Sequence, residues 1–381
     1  MKMIRAVVGV CGACLVGGAI LQAQAQPPAP SGVQGPAPRG AGGFKLGTFE
    51  RDGRRFVGIV LRESVVIDFA AAHKAIATPA STVAPPADMK DLIARYDTGL
   101  RARIGEIIRS VDAAGNARPA YVSDVAALKI LPPVMPAVML NAAVNYAAHD
   151  AEVATALREQ ITTNAAPTAG GAPAGTRSAP GIWERPPGDT RWNPYLFVKL
   201  PSAIVAEGES IRLPPGRTQV DWECELGVVL SRQSARVPVG QAAGHIFGYT
   251  LQNDVSDRGG RGDTRYGSDW LVSKNHDTFA PLGPFITPKE FVPDPQKLTI
   301  RFSLNGQVMQ EANTSFMIHD VYELVAYASS VMTLRPGDIV VTGTPAGVGS
   351  ARVPPVYFKP GDRSVCTYEG VGTLTNAVVG S

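Results

Sequence analysis

Apolar side chains recur along this chain mostly in short runs punctuated by Gly, Pro and Asn, the rhythm of strands more than of long helices. From Phe44 the pattern gives Lys45 to Glu50, a turn at Asp52-Gly53, Arg55 to Leu61, and Ser64 to Phe69, which together read as a small meander. Asp88 is placed to cap a helix whose apolar stripe is Leu92, Ile93, Ile104, Ile107 and Ile108, loosened near Gly99. Pro132-Pro133 and Pro136 break the pattern, and Ala137 to Leu140 follows as a buried strand. Later strands are predicted at Leu196 to Lys199, Ser210 to Leu213, Trp222 to Leu230, His245 to Gln252, Asp338 to Thr342, Ser364 to Tyr368 and Gly372 to Val378. Leu298 to Leu304 turns at Asn305-Gly306 into Gln307 to Gln310, a type I′ hairpin signal. A single later helix, His319 to Met332, carries Val321, Leu324, Val325, Ala328 and Val331 at helical spacing.

The strand from Trp222 is unusual because it holds two carboxylates. Glu223 and Glu225, two residues apart, point to one face, while Trp222 and Cys224 point to the other. The apolar run Leu226 to Leu230 carries them toward an interior where a lone charge costs several kcal/mol. Something cationic should therefore sit between them. Upstream, His149 and Glu152 stand three apart, a helical spacing that puts both on one face and lets the acid orient the imidazole.

These residues sit in longer stretches: Asn145-Tyr146-Ala147-Ala148-His149-Asp150-Ala151-Glu152, Phe197-Val198-Lys199-Leu200-Pro201-Ser202, Glu223-Cys224-Glu225, Gly248 to Ser256 with Asp254, Ser273-Lys274-Asn275-His276, and Thr342-Gly343-Thr344-Pro345. Their order and content from about residue 138 to 381 resemble the fumarylacetoacetate hydrolase family. The resemblance implies an α+β, mainly β fold: a mixed β-roll in a C-terminal domain (133–381), with a small N-terminal α/β domain (43–132). It implies Glu223, Glu225 and Asp254 as metal ligands, with His149, Glu152 and Lys274 as catalytic groups. It implies substrate contacts from Lys199, Arg258, Gly343 and Thr344, and from Arg261 where the family commonly has Gln. Three carboxylates are a hard oxygen set suited to Mg²⁺, Mn²⁺ or Ca²⁺.

Composition narrows the remaining choices. The 381 residues include 45% hydrophobic residues, enough for a sizeable core, and 18% charged residues, below the ~25% typical of soluble proteins. Lys2 and Arg5, the uncharged stretch Ala6 to Leu21, and Ala23-Gln24-Ala25 form the three parts of a secretory signal, so residues 1–25 read as a removable export signal. Residues 26–42 read as a disordered linker, and a periplasmic or secreted location follows. Loss of Lys2 and Arg5 lowers the formal charge of +3 by two, which leaves no basic field for nucleic acid or anionic lipid. Once the signal is removed no stable membrane span is expected. Cys224 and Cys366, the cysteines left in the mature chain, read as buried free thiols in a domain of this size.

The expected activity is metal-dependent hydrolysis of a carbon-carbon bond in an acylpyruvate or β-diketone-type 2-oxo acid, with a homodimer implied by the resemblance alone. Decarboxylation, isomerisation or hydration of 2-oxo (ene)dioic acids from aromatic catabolism is the sibling reading, and an exported, non-catalytic 2-oxo acid binding protein is a third. Residues 153–192 read as an insertion whose Trp183, Arg185, Arg191 and Trp192 could close over a substrate.

Overall fold

The computed structural model describes residues 43–115, 117–152, 181–183, 188–189, 191–260 and 269–381. The export signal, the linker, Arg185, Arg261 and most of the 153–192 insertion lie outside the described residues.

The apolar runs become strands much where their pattern puts them. Phe44–Arg51 and Arg54–Leu61 pair across a turn in which Asp52 and Gly53 both take positive φ, 52° and 76°. Thr299–Leu304 and Gln307–Asn313 pair the same way over Asn305 and Gly306, φ 52° and 84°, as a type I′ turn requires. Asp88 accepts from Asp91 N at the start of helix Met89–Arg95, and Leu100–Ala113 follows beyond Gly99. Helix Val321–Val331 opens with a full capping box between Asp320 and Glu323.

Residues 43–381 form one compact, strand-rich α+β unit. A 12-stranded sheet runs through it, and the strands of the N-terminal third belong to that sheet: Phe44–Arg51 pairs with Ala280–Pro288, with Leu46 opposite Ile286. Ala280–Pro288 then pairs with Ile246–Asn253 and that strand with Cys224–Leu230, after which Ile339–Val341, Met139–Ala143 and Tyr195–Val198 follow in order, each paired with the strand before it. A five-stranded sheet, with Arg363–Tyr368 and Gly372–Val379 at its centre, covers one face.

Cys224–Leu230 is buried at every position. Cys224, Leu226, Val228 and Leu230 join the core beneath the five-stranded sheet, while Val229 joins the core shared with the N-terminal helices. Each large apolar side chain so buried contributes ~1.5–3 kcal/mol, which offsets part of the cost of carrying Glu225 inside.

One expectation fails outright. Cys224 and Cys366 are not free thiols but a disulfide, with Cα atoms 5.5 Å apart and a sequence separation of 142. Cys366 stands on a strand of the sheet that packs against the face carrying Cys224 and Trp222, so the two sulfurs meet in the core. Counting cysteines against domain size could not supply that distance. A loop this long gives a chain-entropy stabilisation of about 5 kcal/mol. Among the described residues no helix is long and apolar enough to cross a membrane.

Candidate active site

Glu223, Glu225 and Asp254 converge. One carboxylate oxygen from each lies within 4.8 Å of the others, and all three residues are buried. Two adjacent strands deliver them: Cys224 pairs with Asn253, and Asp254 N donates to Glu223 O at 2.8 Å just past the ladder. The outward face behaves as alternation requires, since Trp222 stacks on Phe302 at 5.2 Å and Cys224 is held by its disulfide.

Cations surround the cluster. Lys274, on the short helix Trp270–Lys274, donates to Glu223 Oε2 at 2.9 Å, Asp254 Oδ2 at 2.7 Å and Ser256 Oγ at 2.7 Å. Those bonds engage all three of its protons. Burial alone would lower its pKa, but Asp254 and Glu223 outweigh that and raise it, so the ammonium stays charged. Lys199, wholly buried, pairs with Asp254 and donates to Val255 O at 3.0 Å. Burial, only partly offset by Asp254, brings its pKa down to about 8. Arg258 reaches Asp221 Oδ1 at 2.7 Å and Glu223 Oε1 at 2.5 Å.

Lys199, expected as a substrate contact, has its ammonium engaged by Asp254. Arg258, 24% exposed, spends Nε and Nη2 on carboxylates and so shapes the site wall. Gly343 N donates to Glu225 Oε2 at 2.9 Å, and Thr344 Oγ1 donates to Cys224 O at 3.2 Å, so this loop fixes the ligand strand. Gly343 has φ +84°, and a Cβ there would stand 2.9 Å from Ala142 O, which explains the glycine.

The His149 and Glu152 pair forms as its spacing predicts, with Nδ1 3.1 Å from Glu152 Oε2 on helical residues 147–152. Glu152 is itself held by Gly347 N, at 2.9 and 3.2 Å from its two oxygens. His149 is buried and close enough to Glu223 to act on it electrostatically: burial alone would raise the Glu223 pKa, but Lys274, Arg258 and His149 hold it below the ordinary range. One loop thus holds both acids, Glu225 through Gly343 N and Glu152 through Gly347 N.

Asp221, Ser256 and Asn145 have roles the sequence reading did not give them. Asp221 and Ser256 pair on a two-stranded ribbon beside the cluster, and Asp221 Oδ2 accepts from Ser350 N at 2.7 Å. Asn145 bonds the carbonyls of His319 and Thr342, both at 2.9 Å, tying three loops together. Ser256 and Asn145 lie inside stretches already singled out and Asp221 just ahead of one, but only tertiary contacts reveal their partners. Among the described residues of the insertion, Trp183 packs edge-on against His319 and Tyr327, and Arg191 pairs with Asp189 and Glu323.

A divalent cation fits this centre. Four carboxylates (Asp221, Glu223, Glu225 and Asp254) face three cations (Lys199, Lys274 and Arg258), and Glu225 Oε1 is buried with no protein partner. Burial, Asp254 and Glu223 push the Glu225 pKa well above its ordinary range, the signature of acceptors crowded together without enough positive charge. Hard carboxylate donors suit Mg²⁺ or Mn²⁺.

Oxaloacetate tautomerase FAHD2A, mitochondrial, of Bos taurus is 44% identical over 186 residues, which is 49% of this chain and 59% of that protein. The chain therefore spans somewhat over half the length of such curated relatives. The crystal structure of 2-hydroxyhepta-2,4-diene-1,7-dioate isomerase from Mycobacterium marinum superposes with a TM-score of 0.58 at 28% identity, covering 89% of this chain and 99% of that one. Maleylpyruvate hydrolase from Sphingobium sp. SYK-6, in complex with manganese(II) and pyruvate, superposes with a TM-score of 0.60 at 27% identity, covering 88% and 99%. Residues 139–379 match the fumarylacetoacetate (FAA) hydrolase C-terminal family, and with that match the chain belongs to the fumarylacetoacetate hydrolase family.

Proposed function

We propose that this protein is a divalent-metal-dependent hydrolase that cleaves a carbon-carbon bond in an acylpyruvate or β-diketone-type 2-oxo acid. The observation that carries this reading is the His149–Glu152 dyad, locked by Gly347 and set against the carboxylate cluster.

Glu223, Glu225 and Asp254 would hold the ion, which when bound supplies Lewis acidity toward the oxygens of a 2-oxo acid. The remaining steps belong to the chain's own side chains. With Nδ1–H donated to Glu152, the His149 Nε2 lone pair accepts a proton from water. The hydroxide adds to the distal acyl carbonyl carbon, the carbon-carbon bond breaks, and its electron pair passes to the pyruvate fragment as an enolate. Positive charge from Lys274 favours that anion, and the proton His149 took from water passes to the enolate carbon, which leaves the carboxylic acid and pyruvate.

Tautomerisation or isomerisation on the same platform is the second reading, favoured by the name of the Bos taurus relative and by the isomerase structure. Neither reaction consumes water, so neither requires the dyad as a hydrolytic base. The test is a panel of acylpyruvates, oxaloacetate and 2-oxo-enedioates with Mg²⁺ or Mn²⁺, run on wild type and His149→Ala. Acylpyruvate hydrolysis that falls about 10²–10⁴-fold in the variant supports the hydrolase. Full enol-keto turnover without hydrolysis in both proteins supports the tautomerase, and binding without turnover supports a 2-oxo acid binding protein.

We further propose export, on the sequence of residues 1–25, and the Cys224–Cys366 bridge supports an oxidising destination. A homodimer remains the expected assembly, on the family resemblance alone.

A further inference from the structure

Below the carboxylate cluster, on the face of the sheet that carries Glu225, lies a second polar group that neither the dyad nor the lysines touch. Gln252 stands directly opposite Glu225 in the ladder between Cys224–Leu230 and Ile246–Asn253. Asn141, on Met139–Ala143, donates Nδ2 to Gln252 Oε1 at 2.9 Å, although that strand lies three places away in the sheet. Neighbouring strands are ~4.8 Å apart, so in a flat sheet the two backbones would be separated by ~14 Å, beyond the reach of the two amides. The bond shows that the sheet curls toward this face. Gly227, in the row between Thr250 and Val341, adds no side chain to the gap that the bond spans.

Asn141, Gln252 and Glu225 are all fully buried. Asn141 takes up the acceptor end of the Gln252 amide, which leaves Gln252 Nε2 a buried donor with no protein partner. Glu225 Oε1 is a buried acceptor with no protein partner. Each such group costs about 1–3 kcal/mol if left unpaired. Asn141 Oδ1 is a further buried acceptor with no protein partner. Directly opposed residues have Cβ atoms ~4.5–5.5 Å apart, which brings the Gln252 donor and the Glu225 acceptor within the reach of one bridging water.

Building on the metal-centre reading above, we infer that Gln252 is a positioning residue for the ligand Glu225, and that Asn141 fixes which end of the Gln252 amide faces the carboxylate. Gly343 N–H holds Oε2, Gln252 Nε2 serves one acceptor site of Oε1, and a carboxylate oxygen has a second acceptor site left for the cation. Neither amide meets the substrate. Both act through Glu225, as outer partners of metal-bound carboxylates do.

The test is Mn²⁺ binding to the full chain, by titration calorimetry and by the electron paramagnetic resonance line shape of the bound ion. Gln252→Met keeps the volume and removes the donor, so it should weaken Mn²⁺ binding about 10–100-fold and alter the line shape. Asn141→Val should have a smaller effect in the same direction, and the double variant should bind no more weakly than Gln252→Met. If Gln252→Met does not fold, Asn141→Val decides by the same two readouts. Folded variants with wild-type line shape and affinity within twofold would overturn the inference, leaving the pair as a brace of the curled sheet alone. Wild type that takes up no Mn²⁺ would overturn the metal reading itself, and this inference with it.

Discussion

Arg103 and Glu225 are both fully buried ionisable side chains, and their surroundings differ in one respect. Arg103, on helix Leu100–Ala113, has five N–H donors, and each has an acceptor. Nε meets His73 Nδ1 at 3.1 Å, Nη1 meets Thr78 Oγ1 at 2.6 Å and Glu106 Oε2 at 3.2 Å, and Nη2 meets the carbonyls of His73 and Ile76. Burial, and then the Arg103 charge, lower the His73 pKa, which keeps Nδ1 an acceptor. Nothing there remains to bind. Around Glu225 the acceptors outnumber the cations and one oxygen is unmatched in the protein. Burial of charge alone therefore does not mark a functional site; unmet bonding capacity does.

The largest expected effect comes from removing that capacity. Glu225→Gln should weaken Mg²⁺ or Mn²⁺ binding by more than the 10–100-fold typical of outer partners, and turnover should fall with it. The melting temperature of the metal-free protein should hold or rise, because a buried like charge is gone. Calorimetry beside thermal melts checks both halves, and a large loss of stability would erase the contrast with Arg103.

Arg103→Met should do the reverse. It takes an ion-pair partner from Glu106 and the donor from the buried Ile76 carbonyl and the half-buried His73 carbonyl, so urea denaturation should show a loss of about 3–5 kcal/mol. Mn²⁺ affinity should stay within twofold of wild type, and a larger change would mean that the two clusters are coupled.

Glu207 sharpens the comparison at the small end, because it is half-buried and lies outside the carboxylate cluster. Burial raises its pKa to about 7, against the opposing pull of Thr375 N–H and Arg363. A folded-state pKa above the unfolded value means that the folded protein holds the proton more tightly. Its contribution is then fully favourable below about pH 4.5, declines as pH rises, and is lost above about 7. Glu207→Gln should match wild type at pH 4.5 and be more stable by up to about 3 kcal/mol at pH 8. Melts across that range measure the gap, and a gap independent of pH would contradict the assignment.

How legible all this is in the sequence depends on the range of the interaction. Glu223 and Glu225 on one face follow from strand alternation, and His149 and Glu152 from helical spacing, both purely local rules. Asp254 and Lys274 come from resemblance, because no periodicity links them to the Glu pair. Ala280–Pro288, the strand that joins the N-terminal meander to the rest of the sheet, was not read as a strand, since Pro281, Pro284 and Pro288 argue against ladder pairing. Its pairings are correspondingly irregular, with a register shift opposite Tyr249 and Leu251. The Cys224–Cys366 bridge and the Asn141–Gln252 bond depend on how two sheets pack and how one curls, quantities that no local pattern encodes. The partners of Lys199 and Arg258 are hidden for the same reason: their charge is visible in the sequence, and their pairing with Asp254, Asp221 and Glu223 is not.

The central claim is that Glu223, Glu225 and Asp254 together hold one divalent cation. Anomalous scattering from crystals of the full chain soaked in Mn²⁺ tests it most directly. The account predicts a single strong peak bonded by an oxygen of each of the three side chains. No peak there, with Lys274 still bridging Glu223 and Asp254, would contradict it.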